Sequence, residues 1–374
     1  MRFTLSSTVL NNRLQSLSKV INAKNTLPIL GSFLFDIRGG KMTITASDGE
    51  NVMTSEIPLS ECDGEASFAV PNRTILDAVK EVPEQPLTFT LDTDTNEITV
   101  TYQNGHYQFT AQNANEYPHY DSLSGEVHEF TLGAEVLVNN IGRTLFATDN
   151  NDIRPVMNGI YFDLKADCLA FVASDGHKLV RCLNYTVKSE TPASFILPKK
   201  PAALLKNTLT KDSGDVVVKW DGHAAEIIYA DGMLRCRLIE GTFPNYNAAI
   251  PQNNSNELTI DRKALLSALR RVLPFASMSS QLIRFRLSAG KLELSSEDLD
   301  FATSAEEQII CDYNGQSMQI GFRGDFLTEI LNSYDTTEVK LLLGDPSRAG
   351  IVVPTEQPEN EDILMLIMPL LLND

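Results

Sequence analysis

Ser174, Asp175 and His177 put a hydroxyl, a carboxylate and an imidazole within four residues, the side-chain types that acyl transfer uses as nucleophile, orienting acid and base. That chemistry needs the three groups to converge in space, which near neighbours on one loop seldom do. The same letters have a simpler use. In Ala173-Ser174-Asp175-Gly176 the Ser and Asp side chains can bond local backbone and Gly permits a positive φ, so the segment reads first as a tight turn. A hydrolase built on the Ser174/His177 loop remains the less favoured alternative. The chain has no G-x-x-x-x-G-K-[ST], GxGxxG or HExxH segment and no paired Cys or His cluster, so no catalytic residue, metal ligand or cofactor is assigned. His106, His119, His128 and His223 are isolated and read as surface or capping residues.

The turn is more informative as a marker of position. Ile44 to Glu50 reads ITASDGE, and 127 residues later Phe171 to His177 reads FVASDGH. A fixed long period means that one folded unit has been copied. Leu10, Leu137 and Leu265 open equivalent helical stretches, Phe35-Asp36 falls on Phe162-Asp163, and Val70-Pro71 on Leu197-Pro198. A third, more diverged copy places Leu292 to Glu297 where Leu169 to Ser174 stand. Three units of roughly 125 residues also suit a chain too long for one core. The expected domains are 1–123, 128–252 and 253–374.

Each unit opens with an amphipathic helix. Val9, Leu10, Leu14, Leu17 and Ile21 form a stripe over Ser7 to Asn22; Leu265, Leu266, Leu269 and Leu273 do so over Asp261 to Ala276, with Asp261 as the N-cap. Strands at Gly31 to Ile37 and Lys41 to Ala46 follow. A second helix is expected at Asn72 to Glu81, Lys199 to Lys211 and Arg323 to Tyr334. Strands such as Leu87 to Leu91, Glu97 to Tyr102 and His106 to Gln112 close the unit. Runs of strands broken by two helices predict an α+β fold, antiparallel sheet packed on a helix pair.

The net charge of −18 argues against nucleic acid as a partner, since phosphate contacts need Lys and Arg. Its distribution argues the other way. The six helical windows together carry +8, leaving −26 elsewhere, so helices sharing one surface could face a polyanion. Cys62, Cys168, Cys182, Cys236 and Cys311 are scattered and odd in number, which suits reduced thiols filling the core. With no leader-like apolar run at Met1 to Ser7 and no span-length apolar segment, the chain is expected to be cytoplasmic. Ile363 to Leu372 begins as a strand and ends in Met and Leu without alternation; on composition, core closure and a peptide-accepting groove are equal readings.

Thr26 to Leu30 (TLPIL), Arg154, Asn158-Gly159, Ala173 to Leu179 (ASDGHKL), Ile239-Glu240-Gly241, Phe243 to Tyr246 (FPNY), Ile320-Gly321-Phe322 and Met368-Pro369-Leu370 together resemble the bacterial DNA polymerase III beta subunit family, the sliding clamps. The resemblance runs in order over essentially the whole chain. It implies three tandem clamp domains per chain, antiparallel sheets outside and two helices per domain lining a ring hole, in a head-to-tail homodimer around duplex DNA. Twelve helices about 10 Å in diameter give a circumference of about 120 Å and a hole of roughly 28 Å, wide enough for a duplex.

The resemblance also implies roles by position. Lys24, Arg73, Asn151, Pro155 and Val156 take DNA-contacting positions, with Pro155-Val156 replacing an aromatic pair of some members; Lys199 and Lys200 join them on the charge argument. A partner-peptide groove would use Met157, Ser174, Gly176, His177, Lys178 and Leu179, then Pro244, Ala248 and Ala249. Arg323, Phe326, Ser347, Ala349, Met368, Pro369, Leu370 and Leu371 would complete it, Ala248 and Leu371 standing where some members have arginine. For the dimer seam it suggests Tyr107 and Phe109 against Val272 and Leu273, all of which could equally be core. Implied partners are double-stranded DNA, a second copy of the chain, the replicative polymerase alpha subunit, an ATP-driven clamp loader and other proteins with clamp-binding motifs, with no membrane. A protein adaptor that never meets DNA is the remaining alternative.

Overall fold

The computed structural model describes residues 1–25, 27–92, 94–151 and 153–372. Thr26 of the TLPIL segment lies outside them. The first repeat runs β1 (Arg2–Ser6), α1 (Ser7–Ser18), β2 (Ser32–Arg38), β3 (Lys41–Ser47), β4 (Asn51–Pro58), β5 (Glu61–Cys62), β6 (Ala66–Pro71), α2 (Asn72–Val79), β7 (Pro86–Asp92), β8 (Glu97–Tyr102), β9 (Gly105–Thr110) and β10 (Gln112–Asn113). The second runs β11 (His128–Gly133), α3 (Ala134–Thr144), β12 (Gly159–Leu164), β13 (Leu169–Ser174), β14 (Lys178–Asn184), β15 (Ala193–Pro198), α4 (Lys199–Thr208), β16 (Asp215–Trp220), β17 (Ala224–Tyr229) and β18 (Gly232–Arg237). The third runs β19 (Asn256–Asp261), α5 (Arg262–Val272), β20 (Leu282–Ser288), β21 (Lys291–Asp298), β22 (Thr303–Ile310), β23 (Asp312–Tyr313), β24 (Met318–Arg323), α6 (Gly324–Asn332), β25 (Glu338–Leu343), β26 (Gly350–Pro354) and β27 (Glu361–Ile367).

Local chemistry explains the helix ends. Ser6 Oγ accepts from Val9 N at 3.2 Å and Asp261 Oδ1 from Ala264 N at 2.6 Å, each satisfying an orphan donor of a first turn. The buried stripe of α1 is Leu10, Leu14 and Leu17, while Val9, expected on it, is 38% exposed. In α5 the last buried residue is Val272 rather than Leu273, because Pro274 cannot continue the α-helical bonding and the chain passes into a 3₁₀ turn, Leu273–Phe275. The strand expected over His106 to Gln112 is two: Ala111 N bonds Asn96 O, and Gln112–Asn113 crosses to pair with β6 in another sheet.

The chain divides into two compact units, one of residues 1–138 and 203–238, the other of 139–202 and those from Ile239 onward. The first holds a sheet ordered β5-β1-β7-β8-β9 and a nine-stranded one ordered β10-β6-β2-β3-β4-β18-β17-β16-β11. The second holds a nine-stranded sheet ordered β15-β12-β13-β14-β27-β26-β25-β19-β23 and one ordered β22-β21-β20-β24. Every named pairing is antiparallel, including those between repeats. β4 of the first repeat pairs with β18 of the second, and β14 of the second with β27 of the third, so each junction joins the third strand of one repeat's opening meander to the closing strand of the next.

The first junction needs its glycine: a Cβ on Gly232 would lie 2.2 Å from Thr54 O. At the second, Glu361 at the start of β27 receives Arg143 Nη1 at 2.6 Å and Asn140 Nδ2 at 2.8 Å, a well-shielded carboxylate satisfied on both oxygens. Aromatic pairs fill the space under the sheets, Phe3 on Phe89 at 4.9 Å in the first unit and Phe285 on Phe322 at 5.4 Å in the second. No helix among the described residues is long and apolar enough to cross a membrane.

The five cysteines are free thiols; Cys168, Cys182 and Cys236 are buried, whereas Cys62 and Cys311 are only half-buried and so fill the core less than expected. Burial pushes the Cys168 thiol up to about 11 and those of Cys182 and Cys236 up to about 12, which suppresses the reactive thiolate. A thiol reagent at pH 8 should therefore label at most Cys62 and Cys311 quickly in the native protein, and all five after denaturation. Rapid native labelling of all five, read by mass spectrometry, would contradict this packing.

Candidate functional site

The Ser-Asp-Gly segments are turns in both copies. Asp175 Oδ1 accepts from His177 N at 2.8 Å and Lys178 N at 2.9 Å, and Gly176 has φ +88°. Asp48 Oδ1 does the same for Glu50 N and Asn51 N at 2.9 and 2.7 Å, with Gly49 at φ +97°. The third copy keeps the device without the glycine: Asp298 Oδ1 accepts from Asp300 N at 3.0 Å and Phe301 N at 3.2 Å, and Ala302 takes the positive φ, +53°. Ser174 Oγ donates to Lys178 O at 2.8 Å and accepts from Gly176 N at 3.1 Å, and among the described residues no hydrogen bond joins it to His177. A hydroxyl whose bonds run to backbone on both sides, and not to His177, is not an activated nucleophile.

What distinguishes the second copy is the side chain that follows. Lys178 is only 5% exposed, an expensive place for an ammonium unless it is compensated. Its Nζ lies 2.9 Å from Asp175 Oδ2 and 3.1 Å from Glu329 Oε2, and 3.9 Å from the centroid of the Phe326 ring. The Arg323 guanidinium stands 4.6 Å from the same centroid while its Nε donates to Asp325 Oδ1 at 3.0 Å, and the His177 ring is 6.2 Å away. Three carboxylates and a shared aromatic face thus hold two cations beside an exposed imidazole.

Next to this cluster Leu179 enters an apolar floor with Ala170, Val172, Ile196, Phe243, Tyr246, Ala349 and Leu366. The segment 243–249 forms a wall because two aromatic anchors pin it. Phe243 stacks on Tyr161 at 4.7 Å, and Tyr246 Oη donates to Asp163 Oδ2 at 2.8 Å and accepts from Lys165 Nζ at 2.6 Å. Burial works against the Lys165 charge, but the bonds to Tyr246 and Asp163 outweigh it and raise the amine's pKa. Pro244, Ala248 and Ala249 are left exposed beside these anchors. The C-terminal tail supplies the opposite side: Met368 N donates to His177 O and Leu370 N to Gly321 O, both at 2.8 Å, while Met368 and Leu371 stay 41% and 78% exposed. Pro369 is half-buried, Met157 is buried, and Ser347 is exposed on a turn closed by Asp345.

Several contributors have no place here from sequence: Glu329, Phe146, whose ring centroid lies 6.0 Å from Lys178 Nζ, Asp163, Lys165 and Arg154. Asp163 and Lys165 are two residues apart at the end of β12, so their shared face was available as a signal. Arg154 Nη2 donates to Asp175 O at 2.9 Å and pairs with Asp149 at 3.2 Å, tying the loop that holds Asn151 to the turn.

The DNA-contact candidates divide between the units. Lys24 and Arg73 are exposed in the first, Arg73 in the opening turn of α2. In the second, Asn151 and Pro155 are exposed, whereas Val156 is half-buried against the apolar floor. Lys199 and Lys200 are half-buried at the start of α4; burial foremost lowers the Lys199 pKa, and its Nζ bonds Asn150 Oδ1. Helices α1 to α6 carry +1, 0, 0, +3, +4 and −2, still positive in sum, although Arg143 and Arg271 are held by Glu361 and Glu307. Of the seam candidates, Tyr107 and Phe109 are half-buried on the edge strand β9, Leu273 is half-buried, and Val272 is 1% exposed, a core residue with no surface to offer. A recess of about 610 Å³ lies elsewhere, on the sheet of β20–β22, lined by groups such as Arg284, Ser295, Glu297 and Glu306 beside the edge β22. Among the described residues no three His, Cys, Asp or Glu side chains stand together as a metal site.

Three α+β repeats merged edge to edge, with an apolar groove beside the second junction, define a repeat-built clamp protein. Family models agree: that of the DNA polymerase III beta subunit N-terminal domain matches residues 1–121, that of its central domain 131–245 and that of its C-terminal domain 247–371. The chain belongs to the DNA polymerase III beta subunit family. It is 27% identical to the beta sliding clamp of Pseudomonas aeruginosa, over 99% of this chain and 100% of that one, and 25% identical to that of Escherichia coli over the same shares. A solved DNA polymerase III beta subunit from Pseudomonas aeruginosa superimposes with a TM-score of 0.92 at 25% identity, each chain covered in full. The beta subunit of Thermotoga maritima does so with 0.89 at 24%, again over both full chains, and bears on the fold alone.

A Cβ on Gly176 would combine strained φ with a 3.0 Å approach to Arg154 Nη1, whereas one on Gly222 meets open space. Gly176→Ala should lower stability by about 1–2 kcal/mol and Gly222→Ala by little. Equal unfolding midpoints for the two variants would show that neither the conformation nor the Arg154 contact matters.

Proposed function

We propose that this chain is a non-catalytic processivity factor: a dimeric ring that encircles duplex DNA, slides without reading sequence and tethers the replicative polymerase. The observation that carries this reading is the order of strands. Two junctions use the same rule, opening-meander strand against closing strand of the next repeat, and the rule leaves β22 of the third repeat and β9 of the first as edges. An open edge is a row of unpaired backbone donors and acceptors. Each copy would satisfy both by pairing β22 with the partner's β9, a head-to-tail dimer of six repeats, with Tyr107, Phe109 and Leu273 beside the seam.

Closed around DNA, such a ring need not grip. Weak, salt-dependent contacts from Lys24, Arg73, Asn151, Pro155, Lys199 and Lys200 suffice, and topology supplies retention. The groove of His177 to Leu179, Pro244, Ala248, Ala249, Phe326 and the 368–371 tail would take an extended peptide with apolar anchors, the mode by which the polymerase alpha subunit, an ATP-driven loader and other motif-bearing proteins would share the ring. Family membership supports that partner class, and domain limits of 1–123, 128–252 and 253–374 and a cytoplasmic setting belong to the same proposal.

After loading by an ATP-driven clamp loader, the protein should stay on closed circular duplex through gel filtration and leave once the circle is cut. Lys24→Glu, Lys199→Glu and Lys200→Glu combined should reduce loading or retention severalfold. Retention that survives linearisation would contradict encirclement, and unchanged behaviour of the triple variant would favour an adaptor that never meets DNA.

A further inference from the structure

The two junctions share more than a strand order: in repeat-equivalent positions they share a register. At the first, Asn51 lies opposite Cys236; at the second, Lys178 lies opposite Ile367. Asn51 and Lys178 are equivalent because each precedes the residue paired with the turn serine, Val52 with Ser47 and Leu179 with Ser174. Following the ladders from the helix caps through β7, β16 and β25 makes Cys236 and Ile367 both equivalent to Phe109 of β9. In the third repeat Thr303 holds the place of Asn51, since Ser304 pairs with Glu297 as Val52 pairs with Ser47. The same register at the seam sets Phe109 against Thr303, Tyr107 against Ala305 and His106 against Glu306.

Burial supports that register. Residues directly opposite in an antiparallel pair point to one face. Tyr107 and Ala305 are both half-buried, and His106 and Glu306 are both exposed, so like faces meet in these two pairs; Thr303, the first residue of β22, is exposed opposite the half-buried Phe109. Gly105 also holds the place of Gly232, whose Cβ would strike the facing backbone at the first junction.

Resting on the proposed head-to-tail ring, we infer that His106 of one protomer faces Glu306 of the other on the outer surface of each seam, making ring closure tighter in mild acid. β8 and β9 hold no Lys or Arg, so His106 is the only group there able to become cationic. On its own side it has Thr101 opposite, Glu97 bonded to Gln108, and Glu81 near Tyr107. Sharing its recess with Glu306 are Arg284 and Arg286 of β20 and Glu297, Asp298 and Asp300; Glu293 of β21 holds Arg286, and Glu307 is held by Arg271. An imidazole gains its charge between pH 8 and pH 5, and the protonated form attracts the facing carboxylate.

Dimer dissociation constants measured by sedimentation or mass photometry at pH 8 and pH 6 test this. The wild type should associate roughly threefold more tightly per seam at pH 6, about tenfold for a ring with two seams, and 0.5 M salt should remove most of the gain. His106→Gln and Glu306→Gln should each flatten the pH dependence while staying within about twofold of wild type at pH 8. A wild-type dimer with no pH dependence, or a dependence that survives in Glu306→Gln, would overturn the His106–Glu306 pairing and leave the ring intact. A protein that stays monomeric at every concentration would overturn the ring itself.

Discussion

A β-strand edge is a line of hydrogen-bonding groups that must be satisfied, and the disposition of edges governs this molecule. Within the chain, four of the exposed edges that three separate repeats would have are removed by merging sheets across repeats, β4 with β18 and β14 with β27. Merging makes each nine-stranded sheet a structural joint between repeats, so the compact units of the chain cut through the second repeat instead of falling at its ends. The edges left over, β9 and β22, are complementary by the same rule, and that is the physical root of the proposed ring.

The groove follows from the same joints. At both, the residue after the last one paired across the joint bonds the carbonyl after the turn: Arg237 N to Glu50 O at the first, Met368 N to His177 O at the second. Beyond the first joint the chain runs on through Leu238 into the next segment, and Tyr120 closes back on Ser47. At the second, the residues after Met368 form a tail, and Lys178 replaces Asn51 with a cation that needs Asp175, Glu329 and Phe326 around it. Two equivalent positions thus diverged, one into a closed joint and the other into a candidate recognition site built on the same turn.

Much of this was legible in the residues. The 127-residue period, the helix cap Asp261, and the turn reading of Ser174-Asp175-Gly176 all depend on local chemistry that sequence states directly. Errors came where tertiary context decides. Val9 fits the helical period yet faces solvent, Pro274 moves the end of the α5 stripe to Val272, and Ala111 interrupts a strand because the chain changes sheets there. In the candidate groove, ASDGHKL marked the loop that carries Lys178, but the carboxylate that compensates Lys178 from α6 and the Lys165–Tyr246–Asp163 clasp join residues 81 and more positions apart, which no local pattern reveals.

The central claim is that the third joint exists between copies and keeps the register of the other two. Paired cysteines can trap it, because opposite residues in antiparallel strands fall within disulfide reach. Under mild oxidation the double variant Phe109→Cys/Thr303→Cys should form a covalently closed dimer, whereas Phe109→Cys/Glu307→Cys, four residues out of register, should not. Cross-linking of the second pair in place of the first, or of neither in a protein that still dimerises, would contradict the account.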